Sequence, residues 1–548
     1  MARVVTIGLD AADWRLLEPM MDRGDLPNLA RLRARGARCV LRNDALHRTS
    51  LVWEAFLTGR ADPASRFRAG MAFDPARYAP FKVGARTDPT FFARSPGLRS
   101  VAFDAPYLSL AGAGEADVRV CGWGAHIRSY PRAAHPAGLL SDIDATFGPH
   151  PSHEFEHRHA WYWPAQLDAL ADALAAGAHL RADVSAWLAR RFPDHDLLMT
   201  VLSETHAAVE SLGLRLADDH PLATVPTADQ ANACLHDVYR AVDDAVGRVV
   251  AAQADDVLVV VFSLHGAKPN DGDLPSTVLL PELLHRLHFG RPRLCQPDTA
   301  AWVRRGHPPV VPDTDADWAA YMRAQLLGGR RRLAPDVAAR VRRRLGAGPR
   351  RARLRGEDRR SPEEIGVPRW PVDGQVGCWY REAWPRMRAF ALPTFSDGRV
   401  RLNVTGRERH GTIGADDYGR VCDEVESWLR ECRDPRTGRP AVVGIHRPRA
   451  ADPLAPDGSD ADLVVEWGEA VDALVHPDVG IVGPFPFRRS ASHSPRGFVL
   501  VAGPGVEGGD CGERPAHDLP PTILALLGRG IPAAVQGEPI LAAVPAAG

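Results

Sequence analysis

Val4-Val5-Thr6-Ile7-Gly8-Leu9-Asp10 is an apolar run that stops on a carboxylate. Two later runs repeat the arrangement. Leu197 to Ser203 is followed by Glu204 and His206, and Val257 to Phe262 is followed three residues on by His265. Strands buried on both faces of a sheet read as continuous apolar runs, and in α/β folds the ligand crevice lies beyond their carboxyl ends. Three distant parts of the chain are therefore expected to deliver metal-binding residue types to one place.

Working outward, strand and helix patterns alternate. A helical stretch near 13–36 is broken at Gly24 to Pro27, and short strands follow near 38–41, 100–103 and 118–121. A long alanine-rich helix is expected over 164–191 and another over 229–252. This alternation predicts an α/β fold with a mostly parallel central sheet sandwiched by helices. From 291 to 385 the chain turns rich in Arg and Pro, with only isolated helical pieces such as 315–327 and 335–345. That segment reads as a large insertion or cap. Regular elements resume near 387–391, 441–446, 462–466 and 498–502, and a final helix near 521–527 closes the core. The expected division is a first part of the core over 1–290, the cap over 291–385, and completion of the core over 386–548.

The chain has 548 residues, enough to bury a large core, and a formal net charge of -1. Such a balance argues against nucleic acid as a partner. The arginine cluster from Arg342 to Arg360 carries no aromatic residues and is interrupted by Glu357 and Asp358. It reads as a solvated helix and loop, with a lid over an anionic substrate as the alternative. No stretch approaches about 18 uninterrupted apolar residues, so no membrane partner is expected. The first residues show no leader pattern, and the eight cysteines form no C-x-x-C pair. The expectation is a cytoplasmic protein with free thiols.

Several residues suit chemistry at an anionic centre. Thr49 to Gly59 reads as a short helix capped by Thr49 and ended by the glycine. The same geometry would set a hydroxyl and free N–H groups before a phosphate or sulfate. Both readings stay open. His206 and Glu210 would share one helix face, either as two ligands of a zinc or manganese ion or as a surface pair. His265 reads as a ligand or as a core histidine bonded to a carbonyl. His493, ahead of the strand at 498–502, means little by itself.

In order and spacing, these segments together resemble the type I phosphodiesterase/nucleotide pyrophosphatase family of the alkaline phosphatase superfamily. Strand 5–9 with Asp10 matches the family's first metal ligand, and Leu26-Pro27-Asn28-Leu29 with Gly36 matches a motif downstream of it. The family nucleophile precedes the glycine of a Thr-Gly pair by ten residues, which here falls on Thr49. His206 and Glu210 occupy the slot of an Asp-x-x-x-His motif, Leu264-His265-Gly266 that of Asp-His-Gly, and His493 that of the last histidine. Gly122-Trp123-Gly124-Ala125-His126 resembles a motif of a bacterial subgroup, and Leu519 to Gly528 with Gly537 resembles the closing helix. The resemblance spans about 1–290 and 386–548.

It implies an alkaline phosphatase-like fold and a metal-dependent hydrolase of phosphoric esters. The substrate would be a small phosphate or sulfate ester or a nucleotide-like compound, with Thr49 as nucleophile. His206, Glu210 and His493 would hold one zinc or manganese ion; Asp10, His265 and Thr49 would hold a second. Ser50, Arg48, His126 and Lys268 are candidate substrate contacts. Leu264 departs from the pattern, because leucine ligates nothing, so one ion or two are both expected possibilities. Two alternatives keep the fold: transfer of a phosphoryl or sulfuryl group to an alcohol, and a degenerate binding protein without turnover.

Overall fold

The computed structural model describes residues 3–43, 51–60, 71–83, 88–124, 131–155, 158–327, 356–359, 369–449, 452–455, 459–468 and 470–541. Thr49, Ser50, Arg48 and His126 lie outside them, as do the helical piece expected at 335–345 and nearly all of the arginine cluster.

A nine-stranded sheet forms the centre. Its order is Gly509–Pro515, Ala37–Arg42, Arg496–Ala502, Leu258–Ser263, Val4–Leu9, Leu197–Leu202, Ser100–Phe103, Asp117–Cys121 and Ala133–His135. The five strands from Leu258–Ser263 to Asp117–Cys121 run parallel, while Arg496–Ala502 and Ala133–His135 run against their neighbours. The fold is α/β with a mostly parallel sheet. Alternate residues of the central strands enter two separate apolar clusters. Val5, Ile7 and Leu9 join Leu198, Leu202, Val259 and Val261 on one face. Val4, Leu197, Met199, Val201, Val260 and Phe262 fill the other. Burial on both faces is why these strands read as unbroken apolar runs.

The long helices Pro164–Arg191 and Ala228–Ala251 cover the first face, and the short helices Val52–Thr58 and Leu519–Leu526 cover the second. Thr49 was expected to cap its helix. Instead the helix begins at Val52, with Leu51 as the flanking residue and Gly59 ending it in the left-handed region at φ 67°. The cap reading thus moves off Thr49, because the apolar face starting at Val52 and Trp53 sets the helix's first buried turn.

The strands that follow from Ala389 do not at first join the central sheet. Ala389–Leu392, Gly398–Leu402, Leu463–Trp467 and Val442–His446 make their own antiparallel sheet, and the chain returns to the central one only at Arg496. Short, locally alternating strands pair with sequence neighbours more readily than with a distant sheet. Described parts of the segment 291–385 pack against the rest of the chain. Glu357 accepts hydrogen bonds from Gly138 N and Ser141 N at 2.8 and 3.0 Å, closing the start of the helix Leu139–Phe147. Trp318, on the helix Trp318–Ala324, donates its indole N–H to Pro486 O at 2.9 Å.

Candidate metal centre

Asp10 ends the strand Val4–Leu9 at its carboxyl edge and is buried. Its Oδ1 accepts the indole N–H of Trp53 at 2.8 Å. Trp53 reaches it by lying across Gly8, where a Cβ would come within 2.9 Å of the indole ring. A glycine in that strand lets the helix after Thr49 sit close against the sheet. Thr205 ties the neighbouring strand to the same point, donating to Asp10 O at 2.6 Å and Leu202 O at 2.9 Å.

The helix Glu204–Leu212 starts directly after its strand, so His206 and Glu210 do share one face, but a buried one. His206 Nδ1 lies 3.0 Å from Asp10 Oδ2, and His206 Nε2 lies 3.0 Å from Glu210 Oε1. His493 comes from an antiparallel ribbon, Gly266–Pro269 with Ala491–Ser494, in which Ala267 pairs with His493. The ribbon follows His265 and so brings both histidines together; their ring centroids are 4.1 Å apart. His493 Nε2 faces His206 Nε2 at 3.1 Å. Asp13 braces the ribbon by accepting from Ala267 N at 3.1 Å and Ser494 Oγ at 3.2 Å. Gly266 is required there, since a Cβ would meet Asp13 Oδ2 at 2.4 Å.

His206, Glu210 and His493 each offer one ligand atom, all within 4.8 Å of one another. Two imidazoles and a carboxylate are the donor set of many catalytic zinc sites. Electrostatics fit that use. Burial favours neutral His206, but Glu210 and Asp10 more than offset it and raise its pKa to about 10. Burial likewise opposes ionisation of Glu210, yet Arg489 and His206 hold its carboxyl well below the usual range. His493 is pushed well down, by burial first and then by His265 and His206. The Glu210 carboxylate and the neutral His493 imidazole therefore face a histidine whose proton is held by Glu210 and Asp10. A cation can replace that proton.

His265 sits on the other side of Asp10. Its Nδ1 donates to Gly266 O at 3.2 Å, and its Nε2 lies 3.6 Å from Asp10 Oδ1. Leu264 is buried in the apolar cluster with Trp53, Phe56 and Phe262, so no carboxylate stands at that position. Lys268 bonds to Asp271 through its ammonium group. Opposite partners in an antiparallel ribbon share a face, so Lys268, paired with Ser492, lies on the face away from His493.

Glu204, first in line after its strand, is not part of the cluster. It accepts from Arg181 Nε at 2.9 Å and bonds His150 Nε2 at 2.7 Å. Arg181 also donates to Asp104 Oδ2 at 2.9 Å, and Asp104 accepts from Trp123 N and Gly124 N at 2.8 and 2.6 Å. The Gly-Trp-Gly segment is thus anchored by buried charge. Sequence reasoning passed over Arg489, which bonds to Glu210 and also donates to Asp273 Oδ1 at 3.2 Å. The doublet Arg488-Arg489 four residues before His493 was the available signal.

No protein-family model matches the chain, and no curated protein matches it in sequence. Solved structures do. Phosphonoacetate hydrolase from Sinorhizobium meliloti, in complex with phosphonoformate, matches at 14% identity over 91% of this chain and 90% of its own, with a TM-score of 0.43. Human ectonucleotide pyrophosphatase/phosphodiesterase 5 matches at 9% identity over 98% and 97%, with a TM-score of 0.47. The alkaline phosphatase PafA matches at 11% identity over 99% of each chain, with a TM-score of 0.42. At such identities and scores the likeness assigns no role to any residue. Among the described residues, no helix is long and apolar enough to cross a membrane.

Proposed function

We propose that this chain is a divergent member of the alkaline phosphatase superfamily and a metal-dependent hydrolase of small phosphate esters, with Thr49 as nucleophile. The observation that carries the reading is the convergence of His206, Glu210 and His493 within 4.8 Å, at the carboxyl edge of a parallel sheet. Zinc is the best fit to two imidazoles and a carboxylate; manganese is the next. When bound, the ion supplies Lewis acidity toward a phosphoryl oxygen and its leaving group.

The chain's own residues do the rest. Asp10 fixes the ring of His206 through Nδ1, as a carboxylate behind a ligating histidine does, and leaves Nε2 toward Glu210 and His493. Trp53 locks the helix that follows Thr49 onto Asp10. In this reading, Thr49 Oγ forms the new bond to phosphorus while the ester oxygen leaves. Its proton passes to the Asp10–His265 pair, whose Nε2 is the unprotonated nitrogen when Nδ1 donates to Gly266 O. Water then splits the Thr49 ester and regenerates the hydroxyl.

Two features favour a single tightly held ion. Leu264 replaces the carboxylate expected beside His265, and the Trp53 indole occupies Asp10 Oδ1. Elemental analysis of purified protein is expected to give close to one zinc per chain, and Leu264→Asp is expected to raise that number toward two. Thr49→Ala should keep the metal and lose turnover of aryl phosphate esters. Wild-type turnover in Thr49→Ala rules out the nucleophile, and metal-free protein with undiminished turnover rules out the whole reading.

A further inference from the structure

The two arginines before the ribbon are unequally paired. Arg489 has two carboxylates, Glu210 and Asp273. Among the described residues Arg488 has none at hydrogen-bond distance: Asp273 Oδ1, the oxygen Arg489 already holds, is 3.7 Å away. Its Nη2 lies 3.4 Å from an imidazole nitrogen, His159 Nε2. Guanidinium groups with little exposure are normally matched by anions. The mismatch grows when a divalent ion draws on Glu210, because positive charge is then added beside both arginines.

Aromatic rings hold the group in place. The Arg488 guanidinium lies 5.2 Å from the ring of Phe395 and 5.8 Å from that of Trp318, a residue of the cap. Such faces orient a cation without neutralising it. His159 takes a left-handed backbone conformation, φ 50°, while buried. A non-glycine residue keeps that conformation only where its surroundings impose it, and such outliers gather at ligand sites. Both Arg488 and His159 lie within electrostatic reach of Glu210. They therefore lie near the Glu210 end of the ion cluster.

We propose that Arg488 and His159 form a subsite for a second anionic group, a carboxylate or a phosphate, carried by the leaving-group half of the substrate. This rests on the hydrolase reading, and it narrows the substrate class to phosphate esters of alcohols or phenols that bear another negative charge. Arg488 supplies the planar two-pronged donor suited to such a group. Trp318 makes the cap a part of the selection.

The test is binding of three stable phosphonates to zinc-loaded protein by calorimetry: benzylphosphonate, its 4-carboxylate, and its 4-phosphonomethyl analogue. Tighter binding of one or both charged analogues, by about 10-fold or more, is expected. Whichever analogue shows the gain names the group. Arg488→Met should remove most of the gain while leaving benzylphosphonate affinity and zinc content unchanged, and Arg488→Lys should keep part of it. His159→Gln gives an independent check if Arg488→Met does not fold. Equal affinities in wild type, or a gain that survives Arg488→Met or His159→Gln, overturns the subsite. Turnover of phenyl phosphate, measured separately, tells the two readings apart. Turnover without the charge preference leaves the hydrolase and removes the subsite; the preference without turnover does the reverse.

Discussion

Glu204 and Glu210 stand on one helix, six residues apart, and both are buried. Their surroundings differ in kind. Glu204 bonds to Arg181 and His150, and Arg181 also donates to the carboxylate of Asp104. Glu210 meets Arg489 on one side and two imidazoles on the other, with the nitrogens of His206 and His493 3.1 Å apart. Two ring nitrogens are stable at that distance only with a proton or a metal ion shared between them. Buried charge alone therefore does not single out a candidate ion site; ligand atoms that face one another do.

The contrast can be broken at several points. The largest effect is expected from His206→Ala, which should lower turnover on the order of 10³-fold and abolish zinc binding, since residues acting as a unit fail together. Arg181→Met attacks the other cluster. It should cost about 3–5 kcal/mol in urea unfolding, because it strands Glu204 and Asp104 without their shared cation, yet leave zinc stoichiometry intact.

Glu204 also predicts a pH dependence. Burial opposes its ionisation, but Arg181 and His150 outweigh burial and bring its pKa from 4.5 to about 2. A folded-state pKa below the unfolded one contributes stability that is present above pH 4.5 and lost as pH falls through 2. Wild type should thus exceed Glu204→Gln by about 3 kcal/mol near neutrality, with the margin shrinking below pH 4.5. A constant margin across that window would remove the ion-pair account of this cluster. Zinc in hundredfold excess over its dissociation constant should add about 2.7 kcal/mol to wild type and nothing to His206→Ala. Smallest of all, Lys268→Met should change kcat/KM by no more than about 0.5 kcal/mol, because its ammonium is engaged by Asp271 on the far face of the ribbon.

Much of the sheet was legible. Val4–Leu9, Leu197–Leu202 and Leu258–Ser263 stand out because both of their faces are buried, and Pro164–Arg191 and Ala228–Ala251 because helices that long declare their period. The ribbon Gly266–Pro269 with Ala491–Ser494 was not legible. Its strands are four residues long and more than two hundred residues apart, so no local pattern announces their pairing. Trp53 read only as an apolar helix residue, since its contact with Asp10 depends on the space above Gly8. Thr49, Ser50, Arg48 and His126 stand on sequence alone.

By itself the sequence determined which residue types end the central strands and that Leu264 interrupts the expected ligand set. Those are properties of single positions and of local periodicity. The tertiary structure decided the partners. Glu204 turned to Arg181 and Glu210 to His206, although both follow the same strand. Arg489 was matched and Arg488 left short of a carboxylate, although they are adjacent. Which side chain pairs with which is set by elements that meet across the sheet edge, and burial makes each pairing consequential.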